Sequence, residues 1–537
     1  MPSFASAITL RCLSRPDLDG SSQDSTAPSV TGIEKGPFGA TETALPSSGP
    51  HSESLPWEKD RRNPGNWSNL RKSWIFLILM LDILNSCLGS SVHSNAVGFI
   101  AKEFHVTSQA QKVLPMSVYL IGYAFGPILW APMSEQIGRR NIVLATFVVF
   151  SIFTMACALS PNWPGFLIFR LLTGAFASAP IAVVTGILAD MYQNHRSRGR
   201  AVALYMVVSV ILILGLRGES NRIEKRRTKT ANLNQITAFG PLIGPILSGF
   251  ASPTLGWRWS WWISLMVAGA TLVPLLSLPE THRGVLLKRY KIHVDQGSLP
   301  PQRMEGRGFM NSPKLRPIYM LLFEPIVTAS SLYLALVYSI FYMSFQSFPI
   351  IFQGVYEMSL GISSLTYIPI GIGSLIFLPI FWLYDDYFIV PRQNSGKPLK
   401  EEYLRLPLAC LGGPLFAASL FWLGWSARKD VSFVAPMLAG IPFGFGFICI
   451  FIALMNYMTD AYKTYAASAN AASSCSRSLC ATVLPFATHP LFDHLGVAGA
   501  CSLLGGLSVV MCVIPFVFIW KGDQIRAKSH FCNMLKQ

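Results

Sequence analysis

Nine stretches of this chain, each 19 to 32 residues long, contain no Asp, Glu, Lys or Arg: 113–134, 141–169, 171–189, 259–279, 325–356, 358–384, 406–427, 431–459 and 495–520. Residues 73–101 are interrupted only by Asp82, and 464–492 only by Arg477. A helix crosses the hydrocarbon of a bilayer in roughly 20 apolar residues. No water-facing fold repeats that pattern so often. Charged residues make up 13% of the chain, against about 25% in soluble proteins.

Turn and charge signals divide the apolar sequence into twelve spans, near 73–94, 113–133, 142–160, 165–189, 201–251, 258–278, 318–353, 361–384, 405–426, 432–456, 465–488 and 496–520. The expectation is an all-α membrane protein with twelve transmembrane helices in two six-helix halves, 72–278 and 318–520. A basic cytoplasmic linker, 279–317, joins the halves. Residues 1–71, rich in Ser, Thr, Pro and Gly, read as a disordered tail, and 521–537 form a second tail.

Lys and Arg set the orientation, because cytoplasmic loops carry the excess of both. With the N-terminus inside, the inner segments hold thirty of them and the outer loops five: Lys102, Lys112, Arg258, Arg428 and Lys429. Both termini are therefore expected in the cytoplasm. The net charge of +16 orients helices on this reading, and nucleic acid is not an expected partner. The ten cysteines lie mostly inside spans without a CxxC pair, so free thiols are expected rather than a metal site.

Charges inside membrane spans are costly and point to function. Asp82 lies ten residues after Lys72, so about 15 Å into the bilayer. A carboxyl there suits a proton carrier or a counter-ion to a cationic substrate. Static pairing with Arg170, or a polar patch with Asn85, would explain it equally. Arg170 sits roughly 8 Å from the outer end of span 4, where snorkelling is the alternative to function. Arg477 is comparably deep in span 11. Glu324, near the cytoplasmic start of span 7, reads as a gate or an interface anchor. Tyr338, Phe341, Tyr342 and Phe345 on span 7 share one helical face, which is either packing or the wall of an aromatic pocket.

Three motifs carry a family resemblance. The loop GPILWAPMSEQIGRRN (Gly126 to Asn141) resembles the signature of the major facilitator superfamily. The resemblance implies a conformational latch made of Glu135, Gly138, Arg139, Arg140 and Asp190. Glu135 stands where Asp is commoner, and Ala131-Pro132 where many members have Gly. LIFRLLTGAF places Arg170 and Gly174 in a second motif, linked in the family to proton transfer. GPLIGPILSGF, with Gly240, Pro241, Gly244, Pro245 and Gly249, resembles a third motif found mainly in antiporters.

Segments such as WEKDRRNPGNWS, ADMYQNHRSRGRAVALY, LPETH and NYMTDAYKTYAASANAASSCSRS are similar to the fungal twelve-spanner drug:proton antiporter branch. The resemblance runs from about 57 to 526. It implies a monomer in a lipid bilayer, expected at the plasma membrane, that is not an enzyme and uses no cofactor beyond the proton gradient. Its partners would be protons and a small-molecule substrate: a drug, a fungicide or a toxic metabolite. Proton-coupling candidates are Asp82, Arg170, Glu135 and Asp190. Candidates for the substrate cavity are Asn85, Tyr338, Phe341, Tyr342, Phe345 and Arg477. A polyamine exporter, which Asp82 could serve, is a close variant.

One segment breaks the pattern. Residues 210–235, VILILGLRGESNRIEKRRTKTANLNQ, put six basic and two acidic residues inside span 5. At roughly 2.5–3.5 kcal/mol for each central charge, that stretch cannot stay in lipid. Deleting it joins AVALYMVVS to ITAFGPLIGPILSGF as one span, so a translated intron or splice variant, or else a late disabling insertion, is the expectation. A transport-inactive variant or transporter-derived sensor is the alternative function.

Overall fold

A computed structural model of the chain describes residues 60, 62–192, 240–289, 316–384, 387–388, 402–462, 465–529 and 531. All belong to one compact unit, Ser54–Gln537. The first tail before Asp60, most of the 279–317 linker, the anomalous 210–235 segment and the end of the C-terminal tail lie outside the described residues.

Twelve helical spans follow in order among the described residues. In the first half they are α1 (Asn69–Ser91), α2 (Gln109–Ile137), α3 (Arg139–Ala158), α4 (Trp163–Ala177, resumed as Ala179–Met191), α5 (Gly240–Leu255) and α6 (Trp257–Leu275). The second half holds α7 (Pro325–Pro349), α8 (Leu360–Leu365, resumed as Ile368–Tyr384), α9 (Glu402–Ser426), α10 (Gly440–Tyr462), α11 (Ala466–Val483) and α12, within Thr488–Lys528. Nine segments among the described residues are long and apolar enough to cross a membrane. The ninth, Ser468–Ala527, covers most of α11 together with α12, separated by the 3-10 turn Leu484–Ala487 and a break at Gly496. The fold is all-helical, with no strand among the described residues.

The junctions follow from local chemistry. Ser68 caps α1 by accepting the Arg71 N–H, and Asn162 caps α4 by accepting the Gly165 N–H at 2.8 Å. Gly138 (φ 109°) and Gly256 (φ 92°) turn α2 into α3 and α5 into α6 within one residue. A side chain would strain either backbone. The expected single span 318–353 is divided: Arg316–Phe323 ends before Glu324, and α7 starts at Pro325. Proline at the first helical position has no N–H to lose, so the chain restarts there. A π turn, Ile350–Val355, closes the span.

Packing is closest where small residues meet a neighbouring backbone. A Cβ on Gly174 of α4 would overlap the Tyr119 carbonyl of α2. On α5, a Cβ on Gly244 would strike Ser91 of α1, and one on Gly249 would strike Ser364 of α8. The third motif thus presses α5 against both halves of the molecule.

Candidate functional site

A cavity of about 190 Å³ lies between the halves. Its wall combines Ile83 and Cys87 of α1, Tyr123, Pro127 and Ala131 of α2, Ile181, Ala182 and Thr185 of α4 and Pro241 of α5 with residues of α7, α10 and α11. Tyr338, Phe341 and Tyr342 all face it. The Phe341 ring stacks on Phe447 of α10 with centroids 4.8 Å apart. Phe345, one turn further along the same stripe, lies outside this wall and packs on Tyr367. Arg477 reaches the cavity from α11, its guanidinium 4.8 Å from the Phe451 ring centre and 5.7 Å from that of Tyr338.

Through Ala131, Thr185, Met455 and Asn470 the cavity extends toward the end of the bundle that carries Gly138. Toward the opposite end, side-chain hydrogen bonds close the halves on each other. Asn95 donates to the Ser364 hydroxyl at 2.8 Å and to the Pro245 carbonyl at 2.9 Å. Tyr342 donates to Ser90 at 3.1 Å, and Ser117 to the Thr482 carbonyl at 2.9 Å.

Asp82 is not part of the cavity wall. It is 1% exposed and faces a separate niche lined by Ser86, Phe147, Phe150, Phe176, Ala177 and Pro180. Among the described residues neither carboxyl oxygen has a hydrogen-bond partner. The static alternatives do not occur. Asn85 turns toward α6, donating to Thr271 at 2.7 Å and to the Leu81 carbonyl at 2.8 Å, so it too lies off the cavity. Ser86 lines the Asp82 niche and lies 3.3 Å from the hydroxyl of Tyr123, which faces the cavity.

Arg170 does not snorkel; it is completely buried. Its guanidinium donates to the carbonyls of Gly89 (2.7 Å) and Ser90 (3.4 Å) on α1 and of Pro115 (3.0 Å) on α2. The last four carbonyls of a helix have no intrahelical donor and sit at the negative end of its dipole. Arg170 therefore supplies both donors and charge to the end of α1. The Tyr119 and Trp261 rings lie 4.6 and 5.0 Å from it, and His93 Nδ1 lies 3.0 Å from Nη2.

At the Gly138 end, Arg139 Nε pairs with Asp190 Oδ2 at 2.8 Å. Asp190 follows the apolar part of α4, which ends at Leu188. Burial pushes its carboxyl up to about 6, against the opposing pull of Arg139. Arg140 does not share this pair; its guanidinium donates to the Leu276 carbonyl at 3.2 Å. Glu135 is exposed and has no ion-pair partner among the described residues. The latch contains instead a residue the motif does not include. Glu280 accepts the backbone N–H groups of Arg139 (3.0 Å) and Arg140 (3.2 Å), capping the first turn of α3.

The profile of the Major Facilitator Superfamily matches residues 55–216 and 222–485. The chain belongs to the major facilitator superfamily. The match breaks inside the anomalous 210–235 segment. The MFS-type transporter hepF of Aspergillus oryzae is 33% identical over 482 residues, covering 88% of this chain and 93% of that protein. The efflux pump FUB11 of Gibberella moniliformis is 30% identical (86% and 74% covered), and polyamine transporter 4 of Saccharomyces cerevisiae is 32% identical (89% and 73%). The xylose transporter XylE of E. coli, in a partially occluded inward-open conformation, shares the fold: TM-score 0.56, 17% identity, 83% of this chain and 98% of that one.

A major facilitator protein is a multi-pass membrane transporter and not an enzyme, and that holds for this chain. Two of its notable residues escape a reading of the sequence. Glu280 is visible there only as part of LPETH, since nothing in sequence relates it to Arg139, 141 positions away. His93 carries no signal because its role depends on where α4 places Arg170.

Proposed function

We propose that this major facilitator exports small, largely hydrophobic organic compounds in exchange for protons, by alternating access of its two halves across the plasma membrane with both termini in the cytoplasm. The observation that carries this reading is the separation of Asp82 from the cavity. A buried carboxyl with no partner among the described residues stands behind an aromatic pocket and connects to it through Ser86 and Tyr123. Proton and substrate then occupy different places on the same helix α1. Each shifts the equilibrium of the halves only through its differential affinity for the two facing states. The Gly138 end would be cytoplasmic, and the cavity would open inward. Arg170 holds α1 in place for this exchange, while the Arg139–Asp190 pair and Glu280 fasten the cytoplasmic ends. The similarity to an efflux pump supports the outward direction.

The polyamine variant, supported by the similarity to polyamine transporter 4, needs carboxylates facing the substrate. The described cavity wall contains none. An inactive protein, disabled by 210–235, is the second reading that a specific observation favours, because the family match breaks there. Both readings meet one experiment. Versions with and without 210–235 are expressed in a pump-deficient yeast, and dye efflux is measured across a pH gradient. Asp82→Asn should abolish the pH-driven component while the protein remains at the membrane. Equal, pH-independent retention by both versions and by the Asp82→Asn variant would sink the antiport reading.

A further inference from the structure

Among the described residues that line the central cavity, Arg477 alone carries a formal charge. It is 95% withdrawn from solvent, at 5% relative exposure, and a guanidinium keeps its proton throughout the physiological pH range. No carboxylate among the described residues pairs with it. Its donor contacts among the described residues both come from one nitrogen: Nη1 reaches Met455 Sδ at 3.2 Å and the Ser473 hydroxyl at 3.3 Å. Nε and Nη2 have no acceptor among the described residues. The Arg477 side chain lines the cavity.

A buried cation without a counter-ion is expensive, and a well-placed, hydrogen-bonded anion offsets part of that cost. A guanidinium offers two parallel donors that match a carboxylate. Beside it, the stacked Phe341 and Phe447 rings and the Tyr338 ring form flat apolar faces. Resting on the reading of this cavity as the substrate site, we propose that Arg477 binds the ionised acid group of a flat, amphipathic organic acid whose ring system lies against these aromatics. The cargo class is thus a monoanionic aromatic acid. Polycations are rejected, because they would meet a fixed positive charge and no carboxylate in the described wall.

The test is calorimetric titration of the purified full chain in detergent with three isosteric probes: naphthoate, naphthamide and naphthylmethylammonium. Naphthoate should bind at least about tenfold more tightly than the amide, a difference of about 1.4 kcal/mol, and the ammonium most weakly. Arg477→Gln should bring naphthoate and naphthamide level, and Arg477→Lys should restore part of the preference. The wild-type ranking stands as a test even if the glutamine variant fails to fold. Equal or tighter binding of the amide or the ammonium, no binding of any probe, or a preference that survives Arg477→Gln would each overturn the proposal. The titration reads neither proton flux nor direction, so failure of the export reading leaves its outcome intact.

Discussion

Glu280 and Arg139 are held together through backbone rather than through charge alone: the Glu280 carboxylate accepts the Arg139 N–H at 3.0 Å, while the Arg139 side chain pairs with Asp190 at 2.8 Å. One residue thereby links the exit of α6, the start of α3 and the end of α4. The turn also depends on Gly138, where a Cβ would press on Glu280 Oε2 at 2.5 Å and the backbone has φ 109°. Glu280→Ala should lower stability by about 1.5–3 kcal/mol, the usual worth of a hydrogen bond to a charged group. Gly138→Val should cost at least as much, through strain as well as contact. Thermal unfolding in detergent measures both, and an unchanged midpoint for either would contradict the arrangement.

The Asp190 carboxyl gives a pH dependence with a definite sign. Burial raises it from 3.8 to about 6 in the folded protein, so the native state holds that proton more tightly than the unfolded chain. Its contribution to stability is full below pH 3.8 and is lost as pH rises through about 6. Ionised Asp190, which pairs with Arg139, dominates above that range. In unfolding midpoints measured against pH, Asp190→Asn should flatten this part of the slope. A slope identical to wild type would exclude the assignment.

Closure of the end opposite Gly138 rests in part on Asn95, which bridges α5 and Ser364 of α8. Asn95→Ala removes both bonds and leaves Ser364 without this donor, so the halves should separate more often at that end. Spin labels placed on α1 and α8 at the end opposite Gly138 should report a larger share of long distances, with the fold unchanged. An identical distance distribution would show that the contact does not bias the equilibrium.

Glu324 anchors the C-terminal segment. Its carboxylate accepts from the Tyr462 hydroxyl at 2.9 Å, from the Ser529 hydroxyl and from the Phe531 N–H at 3.1 Å, and the Phe531 ring packs edge-on against Tyr465. Truncation after Lys528 removes two of these donors from a buried carboxylate. The expected loss is about 1–3 kcal/mol for each donor lost, read as a lower unfolding midpoint. Glu324→Gln should lose less, because an amide tolerates burial better than an unpaired charge. A truncated chain as stable as the full one would remove the anchoring role.

The sequence was most informative where one helix suffices to state the physics. The spans are legible because lipid tolerates only long uncharged runs, and α5 announces its close contacts through Gly244 and Gly249. The break at Glu324 was hidden inside the apolar span read across it, although Pro325 was a sign of it. Of the aromatic stripe on α7, periodicity put four rings on one face, but the structure sends Tyr338, Phe341 and Tyr342 to the cavity and Phe345 to Tyr367. Spacing gives a shared face, and only the neighbours decide what that face meets.

By itself the sequence determined that this chain lives in a membrane as a helical protein, because burial of uncharged residues in hydrocarbon is a property of each segment alone. Tertiary structure decided where the intramembrane charges lie and what they touch. Asp82 and Arg170, candidates for one another in sequence, end in separate environments: a phenylalanine-lined niche without a partner among the described residues, and the carbonyls closing α1. A charge in a span must find a partner or remain costly, and which partner it finds depends on the rotation and depth of helices from distant parts of the chain.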